Sequence, residues 1–101
     1  MIWRVEFAPG ALEQAQAIEA WWSVSRGTVP ELFRTELAEI VRTLTLLPMI
    51  GRRYDRAALS GIRRLLLPRC RYHVYYELVK AEHLVRIHAV WHAARGQSPP
   101  L

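Results

Sequence analysis

The chain opens on alternation: Trp3, Val5 and Phe7 fall on one side and Ile2, Arg4 and Glu6 on the other, which predicts a half-buried strand. Ala8-Pro9-Gly10 interrupts it. Leu12, Ala15, Ile18 and Trp22 then recur at helical spacing while Glu13, Gln16 and Glu19 face away. A first helix is predicted from Pro9, whose missing N–H costs little in a first turn, to about Val24, with a break at Ser25-Arg26-Gly27. Thr28 and Glu31 have the spacing of a capping box, and Pro30 suits a first turn. Phe33, Leu37, Ile40, Leu44 and Leu47 form a second core-facing stripe that Pro48 ends. The short break makes the two helices an antiparallel hairpin.

Periodicity fails between Met49 and Ser60, which predicts a loop. Three strands follow: Ile62 to Leu67, stopped by Pro68; Tyr72 to Val79, rich in aromatic and β-branched residues; and Leu84 to His92. In the last, Val85, Ile87, Ala89 and Trp91 should share one face and Arg86, His88, Val90 and His92 the other. Connections as short as Lys80-Ala81-Glu82 force an antiparallel meander. The pattern predicts an α+β architecture of order β-α-α-β-β-β. The helical hairpin covers one sheet face and leaves the other free, the first strand pairs at an edge or beside the last strand, and the tail from Ala93 to Leu101 is extended. Residues 1–101 show no repeat or linker, and a chain this short supports a single core, so one domain is expected.

Charge adds a partner. Fourteen basic residues against nine acidic give a formal charge of +5, and all the basic residues but Lys80 are arginines. A guanidinium offers a planar fork of donors to carboxylate or phosphate, so the surface suits an acidic protein segment and a nucleic acid equally. Arg52, Arg53, Arg56, Arg63, Arg64, Arg69 and Arg71 crowd into twenty positions and read as a solvated rim, a dock for an acidic segment or a phosphate contact. Trp22 belongs to the apolar stripe. Trp21, one step round the helix, is expected to be partly exposed, and suits either anchoring a partner helix or filling the groove between the helices. Tyr75 and Tyr76 point to opposite sheet faces, which offers at least one of them to a partner or to the tail.

Other chemistry is sparse. The single cysteine, Cys70, excludes an internal disulfide and a cysteine-rich zinc site. His73 and His88 on one sheet face have no evident acid beside them, so no metal and no cofactor are expected. The start lacks the pattern of a signal peptide and no apolar run has the length of a membrane span, so the expected location is cytoplasmic.

Five segments carry a resemblance: Pro9-Gly10-Ala11, Leu47-Pro48-Met49-Ile50-Gly51, Gly61-Ile62-Arg63-Arg64-Leu65, Tyr72-His73-Val74-Tyr75-Tyr76-Glu77 and Ile87-His88-Ala89-Val90-Trp91-His92-Ala93-Ala94-Arg95. In this order and over this length the chain resembles the RelE/ParE superfamily, the toxic partners of type II toxin–antitoxin pairs. The resemblance implies a RelE/ParE-like fold. It also implies a cognate antitoxin that wraps the toxin, either ParD-like or another small acidic protein with a DNA-binding amino terminus. The RelE branch cleaves messenger RNA on the ribosome, the ParE branch inhibits DNA gyrase, and the shared fold does not decide between them.

A RelE-type ribonuclease must deprotonate a 2′-hydroxyl, stabilise a pentavalent phosphate and protonate the leaving oxygen. Such enzymes carry basic residues on the strand after the loop, an arginine early in the next strand, and an arginine with a tyrosine or histidine after the last. Here Arg64 is present, but Leu66 follows it on that face, His73 stands for the second arginine and Ala93 for the third. Beyond Arg95 there is neither tyrosine nor histidine. The strand end His92-Ala93-Ala94-Arg95 instead resembles ParE, with Gly96 where an acid often follows.

The expected function is that of a gyrase-inhibiting, plasmid-stabilization type toxin. The alternatives are a ribosome-dependent endoribonuclease using Arg64, His73, His92 and Arg95, or a decayed toxin that only binds its antitoxin; whether the chain is an enzyme stays open. Antitoxin or target contacts are expected at Arg52, Arg53, Arg56, Arg63, Arg64, Arg71, Trp21, Tyr75, His92 and Arg95. His92 is open to three roles: general acid, gyrase contact, or structural link between strand and tail.

Overall fold

β1 (Arg4–Phe7) runs parallel to β5 (Leu84–His92), with Val5 opposite Val85 and Phe7 opposite Ile87. The computed structural model describes residues 2–25 and 27–101, and Arg26, in the expected interhelical break, lies outside them. Between the two strands lie α1 (Pro9–Ser25), α2 (Leu32–Leu46), β2 (Arg52–Arg53), β3 (Ile62–Leu67) and β4 (Tyr72–Val79). The sheet order is β1-β5-β4-β3-β2, antiparallel except for the β1–β5 pair. The expected order holds with one addition. β2 lies inside the predicted loop, pairing Arg52 with Arg64 and Arg53 with Arg63, and two residues are too few to show a period.

The helical hairpin buries Ala11, Ala15 and Trp22 of α1 and Phe33 and Leu44 of α2 against Leu67, Val74, Tyr76, Val85 and Ile87. Two expected core positions turn outward: Leu12 is 45% exposed and Leu47 56%. On α1 Ala11 takes the inward place, because a small side chain lets the helix sit close to the sheet. The capping box does not form. α2 begins at Leu32, and Glu31 at its N-cap makes no side-chain bond to the helix amides. Leu47 closes the helix, its N–H donating to the Thr43 carbonyl at 2.8 Å just before Pro48.

The expected alternation of β5 breaks at a bulge. Tyr75 lies opposite Ala89 but Tyr76 opposite Ile87, so His88 is the extra residue. Val85 and Ile87 face the helices before it and Val90 does so after it, while Ala89 and Trp91 pass to the other side. Gln14 of α1 accepts the Val90 N–H at 2.8 Å. A polar residue on the inner flank of α1 thus satisfies a backbone donor beside the irregularity.

The second sheet face is not free. Tyr54, Ile62, Tyr75 and Ala89 form a small buried cluster, with Ala57, Trp91 and Leu101 packed on it. The tail folds back across this face: the Trp91 indole donates to the Gln97 carbonyl at 2.8 Å and the Ala58 N–H to the Leu101 carbonyl at 3.0 Å.

Candidate functional site

The arginine-rich stretch, continuous in sequence, is dispersed in space. Arg63 is structural, its Nη1 donating to the carbonyls of Gly51 at 2.8 Å and Met49 at 3.1 Å, so it braces the loop before β2. Arg64 lies on the tail side, its guanidinium 5.1 Å from the Tyr54 ring centre and 5.9 Å from that of Tyr75. Arg52 and Arg53 are exposed on the outer strand and Arg56 is exposed in the loop beyond. Arg69 and Arg71, at the β3–β4 turn, line a groove.

That groove, of about 870 Å³, lies between the end of α1, the turn into α2, the β3–β4 turn and the end of β5. Its wall is apolar, with Ile18, Trp21, Val29 and Leu32, and its rim is basic, with Arg69, Arg71, His92 and Arg95. Trp21 is 48% exposed and meets Trp22 edge-on at 6.0 Å. Trp22 is buried, and its indole donates to the Tyr72 hydroxyl at 3.3 Å. Arg95 lies 4.2 Å above the Trp91 ring centre. His92 packs edge-on against Tyr72 at 4.9 Å and accepts the Ala94 N–H on Nδ1 at 3.1 Å. The Ala94 bond joins the strand end to the start of the tail, and the exposed ring also borders the groove. An apolar wall under a guanidinium rim fits a segment that carries apolar and anionic side chains together.

The turn carrying Arg69 and Arg71 is held from beneath by Glu36, which the sequence reading passed over. Only 6% exposed, its carboxylate accepts the Arg69 N–H at 2.9 Å and the Cys70 N–H at 2.8 Å. Burial alone would raise the Glu36 pKa. Hydrogen bonds from the Cys70 thiol and from the amides of Arg69 and Cys70, with the charge of Arg69, outweigh it and leave the carboxyl below its ordinary range. The buried Cys70 thiol is pushed up to about 12 by burial and by the Glu36 carboxylate, which holds it in the protonated form at neutral pH. The available signal was an acid one turn after Phe33 on the inward side of α2.

On the tail side, His73 lies between Leu66 and Trp91 in register, and its ring is 6.0 Å from that of Tyr75. Burial, then the charges of Arg64 and Arg71, lower its basicity. Tyr75 is 3% exposed and meets Tyr54 edge-on at 5.0 Å, so it serves the tail-side cluster and offers a partner no surface. Arg64, His73, His92 and Arg95 do not converge, since Arg64 and His73 lie on the tail side and His92 stacks on Tyr72 on the helix side. The histidines are also less isolated than the sequence suggested: Glu77 Oε1 is 2.8 Å from His88 Nε2 and 3.5 Å from Arg86 Nη1. Among the described residues no group of three or more His, Cys, Asp or Glu could hold a metal ion, and no helix is long and apolar enough to cross a membrane.

The fold is that of the small toxins of type II toxin–antitoxin systems. It is similar to the toxin–antitoxin complex RelBE2 of Mycobacterium tuberculosis (TM-score 0.67, 19% identity, covering 91% of this chain and 99% of that one). It is also similar to the chromosomal ParDE system of P. aeruginosa (TM-score 0.61, 20% identity, 90% and 96% covered) and to the isolated E. coli RelE toxin (0.55, 20%, 94% and 88%). At these identities the likeness is one of fold. Residues 5–96 match the family model of the ParE toxin of the type II toxin–antitoxin system, parDE. The chain belongs to that family, within the RelE/ParE superfamily. Among curated proteins no sequence matches it.

Proposed function

We propose that this toxin arrests growth in the cytoplasm by binding DNA gyrase, and that an acidic antitoxin silences it by docking an amphipathic segment in the groove of Trp21, Arg69, Arg71 and Arg95. The observation that carries the gyrase reading is the dispersal of the nuclease candidates: Arg64 and His73 lie on the sheet face of Tyr75, while His92 packs against Tyr72 on the helix face. Two proton-transfer groups on opposite faces of a sheet, His73 and His92, cannot both reach one scissile phosphate, so Arg64 and His73 are left without the second. The family match points the same way. A supercoiling assay with purified toxin tests it: inhibition is expected, and full gyrase activity at high toxin excess would sink the reading.

A second reading, ribosome-dependent cleavage of messenger RNA, is favoured by one observation, the influence of Arg64 and Arg71 on His73. Primer extension on translated messages during growth arrest separates the two, and new cleavage sites would favour the nuclease. Normal growth on expression of the chain alone would leave only antitoxin binding.

A further inference from the structure

Glu36 is the charged side chain found buried among the described residues, and it lines no part of the groove. Burying a carboxylate is costly unless its oxygens are hydrogen-bonded, and here each accepts a different backbone N–H, from Arg69 and from Cys70. Both amides therefore point down into α2. The turn is fixed on its other side as well: the Arg71 N–H donates to the Leu67 carbonyl and the Ala93 N–H to the Arg71 carbonyl, each at 2.8 Å. Arg71 itself sits at φ 68°, a left-handed conformation that a non-glycine residue adopts only when its surroundings impose it. With the backbone of the turn tied on both sides, the side chains of Arg69 and Arg71 are left to border the groove.

We infer that Glu36 is the positioning residue of the groove's basic rim, anchoring the β3–β4 turn to α2 so that Arg69 and Arg71 are presented together to a carboxylate-bearing segment. The inference rests on the reading of the groove as the antitoxin's dock. Glutamine at residue 36 has the same shape but only one acceptor oxygen, and its amide would set an N–H against an N–H of the turn. The turn must then move, and the pair of guanidiniums with it.

The test is a two-dimensional NMR titration of the full chain with a glutamate pentapeptide at low ionic strength. In the wild type the peptide should shift the signals of Arg69, Arg71 and Arg95. In Glu36→Gln the core signals of Val74 and Ile87 should stay in place while peptide affinity falls roughly fivefold and its salt dependence flattens. Lys80→Ala, at an exposed position outside the groove, should bind as the wild type does. A folded Glu36→Gln protein that binds with wild-type affinity overturns the positioning role alone. A wild type whose Arg69 and Arg71 signals ignore the peptide overturns the docking reading and the role with it. Should Glu36→Gln fail to fold, amide exchange in the wild type decides: protected Arg69 and Cys70 amides support the clamp, and exchange as fast as in an open turn overturns it.

Discussion

The Tyr76 hydroxyl accepts the Gly51 N–H at 2.8 Å, and a β-carbon at residue 51 would lie 2.6 Å from that same oxygen. The glycine is thus required by close approach. Tyr76 is fully buried, so its hydroxyl needs this partner as much as the loop needs the anchor. Arg63 bonds the Gly51 carbonyl from the other side, and together the two contacts fix the path from α2 into β2.

Gly51→Ala is therefore expected to cost about 1–3 kcal/mol through overpacking, with Tyr76 forced from its place. Tyr76→Phe should cost about 1–3 kcal/mol by leaving the Gly51 N–H buried and unpaired. The double variant should lose less than the sum, because phenylalanine removes the nearest colliding atom. Thermal unfolding of the four proteins measures this, and simple additivity would refute the shared contact.

The strands and helices were legible because most of them run long enough to repeat their period, as the two residues of β2 do not. Leu84 to His92 was bounded correctly, yet its faces were misassigned after His88, because a bulge leaves no mark in a pattern of alternating side chains. The tail-side cluster was also hidden, since Leu101 lies far in sequence from Ile62 and Tyr75. The site suffered most from reading arginines as a run. Neighbours in sequence, Arg63 and Arg64 face opposite sides of β3 and do different work, while Arg69 and Arg95 border one groove from distant elements. Glu36 escaped because an acid in a helix is usually solvated.

That division predicts a difference in kind between arginine variants. Arg69→Ala with Arg71→Ala should weaken binding of an acidic partner steeply at low salt and little at high salt, leaving the melting temperature nearly unchanged. Arg63→Ala should instead lower the melting temperature, since it frees two backbone carbonyls in the loop before β2. Calorimetric titration across salt concentrations, beside melting curves, distinguishes them. Identical behaviour of the two variants would contradict the assignment.

Cys70 offers a probe of the same region. With its thiol pushed up to about 12, only about one part in ten thousand is thiolate at pH 8. Alkylation by iodoacetamide should be far slower in the folded protein than in denaturant. Glu36→Gln should speed it, because the carboxylate is one cause of the raised value. Mass spectrometry of timed samples reads both rates, and an unchanged rate in the variant would remove Glu36 from the explanation.

The pH dependence of stability follows from the same carboxylate. The Glu36 carboxyl in the folded chain lies below its ordinary value of 4.5, so on acidification the unfolded chain takes up this proton first. The stabilisation is therefore complete above about pH 4.5 and is lost as the pH falls through the lower, folded value. Glu36→Gln should lower stability at neutral pH, where the wild type holds the turn through two amides, and should flatten the acid side of the stability curve. Urea unfolding at a series of pH values between neutrality and the onset of acid unfolding provides the comparison. If both proteins lose stability along the same acid slope, the carboxylate is not the group that holds the turn, and Arg69 and Arg71 owe their placement to the backbone bonds at Leu67 and Ala93 alone.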